Sequence, residues 1–290
     1  MKFLRFTFSL AIILISCNEV KNDSIESFVT INEHKIHVES IGKGKTVVFV
    51  HGGYLDLEMW DEQINEFKDS YHLIRFSDLG HGKTIQGEEP LFGYEILNEI
   101  TSSHANEKIT LIGLSWGAMI CVDFTLNFQD RVDKLILVSP GLNGWNYFKD
   151  SLASENYKLR QKAIKNLDTI ESSKLFHQNW VVGPRRQMQQ LSESFYSKSL
   201  DMILKNTRNH WQEDWSRLDT IVARKRLENI TVPTYIIFGN QDAQDISLIA
   251  EEYHQRIKNS QKIEMENVGH LLNMENPKEF NSILSQIIEK

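Results

Sequence analysis

The five residues Gly113-Leu114-Ser115-Trp116-Gly117 constrain what this chain of 290 residues can fold into more than any other stretch. They follow the apolar run Lys108-Ile109-Thr110-Leu111-Ile112 and lead into Ala118-Met119-Ile120-Cys121-Val122-Asp123-Phe124, where apolar residues recur almost without polar interruption, as in a buried helix. The order is strand, tight turn, helix. In that setting G-x-S-x-G is a nucleophile elbow: its glycines remove the side chains that would block so sharp a reversal, and the Ser115 hydroxyl is left above the sheet. The next backbone N–H, that of Trp116, lies at a helix N-terminus and can face a developing oxyanion.

The flanking sequence supplies a sheet for this elbow to sit in. Residues 28–31 and 35–38 alternate about Asn32-Glu33-His34 and read as a hairpin, with His34 and His37 expected as exposed strand positions. Residues 46–50 are continuously apolar, as a central parallel strand requires, and deliver His51-Gly52-Gly53-Tyr54 at the sheet edge where open α/β folds bind ligands. The N–H of Gly53 is the candidate second oxyanion donor, while His51 is expected to be structural. Further strands are expected at 71–76, 134–138, 234–238 and 262–265, and helices at 59–67, 92–104, 246–257 and from Pro277 to residue 289. Residues 142–229 break this pattern. They contain no strand-like run but four of the six tryptophans, Trp145, Trp180, Trp211 and Trp215, and read as a helical insertion whose aromatic side chains can line an apolar pocket.

Three loops at one sheet edge then carry Ser115, Asp242 and His270, in that order. The order Ser, acid, His with a G-x-S-x-G elbow resembles the α/β-hydrolase family. The resemblance covers residues 28–290 and rests on His51-Gly52-Gly53, Asp78-x-Gly80-His81-Gly82, the elbow, Gly239-x-x-Asp242, and Gly269-His270 with Glu275-Asn276-Pro277 downstream. It implies an α/β-hydrolase fold: a mostly parallel central sheet flanked by helices, with core segments 28–141 and 230–290 and a helical cap at 142–229. It also implies that the D-x-G-H-G loop is structural, which leaves Asp78 and His81 out of the catalytic set. Asp245 is the rival acid, but the spacing from Gly239 to Asp242 matches the family. Relatives that open epoxides or remove halides carry aspartate at the elbow, so Ser115 argues against those chemistries.

The chemistry expected of such a set follows from the weakness of a serine hydroxyl as a nucleophile. His270 would take its proton and Asp242 would orient the imidazole, with the N–H groups of Gly53 and Trp116 holding the oxyanion. No metal or other cofactor is expected. The chain therefore reads as a serine hydrolase acting on a small ester or related acyl substrate through an acyl-enzyme. Two alternatives remain. One is an aminopeptidase of the proline iminopeptidase type, to which Ser-Trp-Gly and His-Gly-Gly are similar, although Tyr54-Leu55 stands where that group has Pro-Gly; Glu213 and Asp214 would then meet the substrate amine. The other is a non-catalytic binding protein on the same fold.

Composition matters at two points. The net charge of -7 argues against nucleic acid as a partner, because a phosphate-binding surface needs clustered cations and only Arg224-Lys225-Arg226 forms such a group, read here as a solvated helix face. The N-terminus is the second point. A basic start, Met1 to Arg5, precedes an apolar run too short to span a bilayer, ending in Leu14-Ile15-Ser16-Cys17. This resembles a bacterial lipobox and implies a signal peptide at 1–16, a lipid on Cys17, a flexible tether at 17–27, and export to a membrane surface. Cys121 is the only other cysteine, so no disulfide is expected, and it reads as a small core residue.

Overall fold

The computed structural model describes residues 25–105, 107–211 and 213–290. The expected signal peptide, the lipidation site Cys17 and residues 18–24 of the tether lie outside the described residues. Among the described residues eight strands form: β1 (Ile25–Ile31), β2 (His34–Ile41), β3 (Thr46–Val50), β4 (His72–Phe76), β5 (Ile109–Leu114), β6 (Val132–Val138), β7 (Thr234–Gly239) and β8 (Ser260–Met265). They form one sheet in the order β1-β2-β4-β3-β5-β6-β7-β8, antiparallel where β2 meets β1 and β4 and parallel elsewhere.

Helices on both faces of the sheet explain why β3, β5 and β7 are buried at every position and read as unbroken apolar runs. Alternate side chains feed opposite cores. Val48 and Val50 join one cluster with α2 (Gly93–His104), α3 (Trp116–Phe128) and α7 (Gln244–Arg256). Val47 and Phe49 join another with α1 (Asp61–Phe67), α8 (Leu272–Glu275) and α9 (Pro277–Ile288). The chain leaves β3 for β4 on one side and then returns to add β5 on the other. Strand order thus reverses at β3 and β5, and the crevice beyond their C-terminal ends, where Gly53 and Ser115 emerge, is the switch point at which such sheets bind ligands.

Between β6 and β7 the chain is helical, in α4 (Ser151–Lys165), α5 (Thr169–His177) and α6 (Glu193–Asn209). Each opens on a side-chain cap: Asp150 accepts from Leu152 and Ala153 N–H, Asp168 from Glu171, and Ser192 from Phe195.

Three expectations are corrected. The hairpin starts at Ile25, so the end of the expected tether is strand: Ile25, Glu26 and Ser27 pair with Ser40, Glu39 and Val38, and Glu26 binds His37 and Lys83. His34 and His37 are buried, at 0% and 3% exposure, because the loop after β4 folds back over β2. Ile85 bridges Lys35 there, Gly87 N–H and the Glu89 carbonyl satisfy the His34 ring, and Thr84 accepts the His37 N–H. Alternation along a strand carries no signal of such a returning loop. Finally, Arg224 to Arg226 are not a helix face. The 3-10 turn here is Ala223–Lys225: Arg224 pairs with Glu252 and stacks on Trp145, Arg226 follows the turn and pairs with Asp219, and Lys225 is the one of the three left exposed.

Candidate active site

The elbow is built from close approaches. A side chain at Gly113 would meet the Gly117 carbonyl and the Cys121 sulfur, and one at Gly117 would run into the carbonyls of Val50 and His51 on the adjoining strand. Ser115 itself has φ 54° and ψ −107°, a conformation costly for a residue with a Cβ. The surroundings hold it there: its N–H donates to the Val138 carbonyl at 3.0 Å, and its carbonyl accepts from Ala118, Met119 and Gly141. Burial pushes the Cys121 thiol well up, which keeps it a core side chain.

The strands β7 and β8 bring the other two residues together. They are parallel neighbours, with Gly239 beside Met265, and the absence of a Cβ at Gly239 lets the Val268 and Gly269 carbonyls pass directly over it. His270 Nδ1 consequently lies 2.6 Å from Asp242 Oδ2, with both side chains almost wholly buried. This contact occupies Nδ1 and leaves Nε2 as the ring nitrogen able to accept a proton. His270 and Ser115 line one narrow space of about 10 Å³ together with Gly52 and Gly53, about one water in size. The indole of Trp180 packs on the imidazole at 5.1 Å between centroids. Asp245 is turned elsewhere: it accepts from Trp145 Nε1 at 2.9 Å and from the N–H groups of Lys149 and Asp150, fixing the approach to α4.

Gly53 N–H and Trp116 N–H donate to no acceptor among the described residues. The loop bearing Gly53 is braced by two histidines. His51 Nε2 accepts from Asp78 N–H at 2.8 Å while its Nδ1 donates to the Gly52 carbonyl; His81 Nε2 accepts from Tyr54 N–H at 3.0 Å while its Nδ1 donates to the Leu79 carbonyl. Burial pushes both imidazoles below the ordinary histidine range, His81 well below, which preserves the neutral form that can both accept and donate. Asp78, raised by burial, accepts from the Ser216 hydroxyl at 2.6 Å and from Trp116 Nε1. The D-x-G-H-G loop therefore ties the loop of Gly53 to the elbow and to Ser216 in the segment between β6 and β7, and neither Asp78 nor His81 is bonded to His270.

Above Ser115 lies a cavity of about 390 Å³. Trp116, Tyr147, Phe148, Phe176, Trp180 and Trp215 form most of its wall, and no charged side chain lines it. Two of the four tryptophans expected to line an apolar pocket, Trp180 and Trp215, line this one. Trp145 instead packs under Arg224, and Trp211 lines a second cavity of about 190 Å³ with His210 and Glu213, on the far side of Trp215. Glu213 is paired with His210, and Glu213 and Asp214 both stay off the larger cavity. Tyr147, Phe148 and Phe176 escape a reading by sequence because the first two are neighbours in an irregular loop and the third stands on α5, with no shared spacing. Arg186 and Glu275 form a buried pair beside the His270 loop; only Glu275 was visible in the sequence, as part of the motif after His270.

Residues 45–277 match the family model described as alpha/beta hydrolase fold. Among curated relatives, the AB hydrolase superfamily protein YisY of Bacillus subtilis (strain 168) is 26% identical over 89% of this chain and 97% of its own length. A 2-hydroxy-6-oxononadienedioate/2-hydroxy-6-oxononatrienedioate hydrolase of Klebsiella pneumoniae is 27% identical over 72% of this chain and 75% of its own. Among solved structures, the esterase EaEST from Exiguobacterium antarcticum aligns with a TM-score of 0.72 at 24% identity, covering 92% of this chain and all of that one.

Proposed function

The chain belongs to the alpha/beta hydrolase fold family, and from that premise we propose that it is a serine hydrolase that cleaves an uncharged ester or related acyl compound through an acyl-enzyme. The observation that carries this reading is the 2.6 Å contact of Asp242 with His270, whose side chain lines one small space with Ser115. In the proposed reaction the Ser115 oxygen attacks the substrate carbonyl as His270 Nε2 takes the hydroxyl proton. The N–H groups of Gly53 and Trp116 face the oxyanion, a donor of this kind being worth about 3 kcal/mol in the transition state. Collapse of the tetrahedral intermediate expels the alcohol, which receives the proton from His270. Water then attacks the acyl-enzyme by the same route, releasing the acid and restoring the serine.

The aromatic cavity supports an uncharged substrate. The Klebsiella relative is named for a dianionic dienedioate, and a carboxylate placed against these walls would lose its hydration with no cation to replace it. The same wall weighs against the aminopeptidase reading, since Glu213 and Asp214 lie off this cavity. A series of p-nitrophenyl esters tests the proposal. Butyrate and hexanoate are expected to turn over with kcat/KM at least about 100-fold above the hemisuccinate ester, a difference of about 3 kcal/mol. Preference for the anionic ester would overturn the substrate class, and turnover of none would favour a binding protein.

We also propose that the enzyme works at a membrane surface through a lipid on Cys17. The support is the basic, apolar and Leu-Ile-Ser-Cys order of the N-terminus. Detergent-phase partitioning of the full chain, abolished by Cys17→Ser, is the expected outcome.

A further inference from the structure

The segment joining α5 to α6 is fastened to both loops that carry Asp242 and His270. After α5 the chain makes a π-helical turn, Gln178–Val182, of the kind that often marks functional sites, and ends it at Gly183 with φ 92°. A side chain at Gly183 would meet the carbonyl of Gln241, the neighbour of Asp242, at 2.5 Å. Three residues later Arg186 turns back beneath the turn. Its Nε donates to the Val182 carbonyl at 2.6 Å and one terminal nitrogen to the Val181 carbonyl at 3.2 Å. The two terminal nitrogens grip Glu275 at 2.5 and 3.1 Å, and one also reaches the Asn267 carbonyl at 3.5 Å.

All five guanidinium N–H groups are thereby matched to acceptors, in side chains only 5% and 11% exposed for Arg186 and Glu275. Glu275 passes the constraint on: the carboxylate oxygen that binds Arg186 also accepts the N–H of Gly269 at 2.8 Å, and Gly269 precedes His270. A Cβ at Gly269 would run into a terminal nitrogen of Arg186, so a side chain there would have to push the guanidinium off its acceptors.

We infer that Arg186 and Glu275 are positioning residues for the proposed reaction: a cap-borne arginine fixes the Gly269 peptide through Glu275 and so sets the direction in which His270 faces Ser115. The inference rests on the serine hydrolase reading. A planar guanidinium is required, because a lysine ammonium offers three donors from a single point and cannot hold a carboxylate and three carbonyls together.

The test compares Arg186→Lys and Glu275→Gln with the parent chain and with Arg185→Ala, which removes the neighbouring ion pair to Asp150 but leaves every contact of Arg186 and Glu275 with the His270 loop in place. Measured are the melting temperature, kcat and KM on p-nitrophenyl butyrate, and the rate of fluorophosphonate labelling as a function of pH. Arg186→Lys and Glu275→Gln are expected to lower kcat and the labelling rate about 10- to 100-fold, leave KM within about threefold, and displace the acid limb of the pH–rate profile. Arg185→Ala is expected to lower the melting temperature alone. A folded Arg186→Lys protein with parental labelling rate and pH profile overturns the inference, as does a loss no greater than that of Arg185→Ala. A parent chain that is not labelled at all removes the hydrolase reading, and this inference with it.

Discussion

Asp242 and Asp245 stand three residues apart and have opposite surroundings. Asp242 faces His270, whereas Asp245 accepts from an indole and two backbone N–H groups at the start of the cap. The two replacements should therefore separate. Asp242→Asn is expected to reduce kcat by about 10³- to 10⁴-fold with little change in melting temperature, because the imidazole loses the partner that fixes its tautomer. Asp245→Asn is expected to lower the melting temperature by a few degrees and raise KM while sparing kcat, since it loosens the wall that holds Tyr147 and Phe148. Steady-state kinetics beside thermal melts distinguish them. The spacing from Gly239 separated these residues in the sequence, and the physical basis of that spacing is the passage of the Val268 and Gly269 carbonyls over a residue without a Cβ. Arg186 had no such signature. Its partners beside His270, Asn267 and Glu275, lie about 80 to 90 residues away in the chain, and an arginine in a polar, helical stretch looks like a solvated one.

Among the elements, the central strands were legible because helices cover both faces of the sheet and leave continuous apolar runs, as in β3. The cap was legible only as helical. Its helices bury narrow faces, and the π-helical turn that sets Trp180 on His270 has no sequence pattern of its own. The contact between α5 and α6 does make a pH prediction. His177 on α5 is buried against Ser199 and the Tyr196 ring on α6, and burial pushes its imidazole down to about 4. Between the ordinary value near 6.5 and 4, the unfolded chain takes up a proton that the folded chain refuses, so stability falls as pH falls through that window, by on the order of 2 kcal/mol. Asp123 on α3 acts in the opposite sense. Burial raises it to about 7, so the folded chain holds a proton that the unfolded chain has lost, and stability falls as pH rises from about 4 towards 7. Melts at pH 4.5, 6 and 8 should show Asp123→Asn gaining stability chiefly at pH 8 and His177→Asn losing its acid sensitivity.

At the scale of the molecule, the segment between β6 and β7 is tied to the core at several points, among them Asn206 to Asp56, Ser216 to Asp78 and Arg224 to Glu252, and the candidate site is made of both. The sheet's switch point presents Ser115, Gly53 and Trp116; the β7 and β8 loops add Asp242 and His270; the cap closes the space with aromatic rings and clamps the His270 loop through Arg186. A cap that moved as a body would therefore change both the shape of the pocket and the setting of His270, the proposed base. An activated Ser115 separates a serine hydrolase from a binding protein on the same fold, and intact-mass analysis after fluorophosphonate treatment of the chain lacking residues 1–17 reads that reactivity out. A single adduct on the parent, absent from Ser115→Ala and formed at least about 100-fold more slowly by His270→Ala, is the predicted result. No adduct on the folded parent, or one that persists in Ser115→Ala, would contradict it.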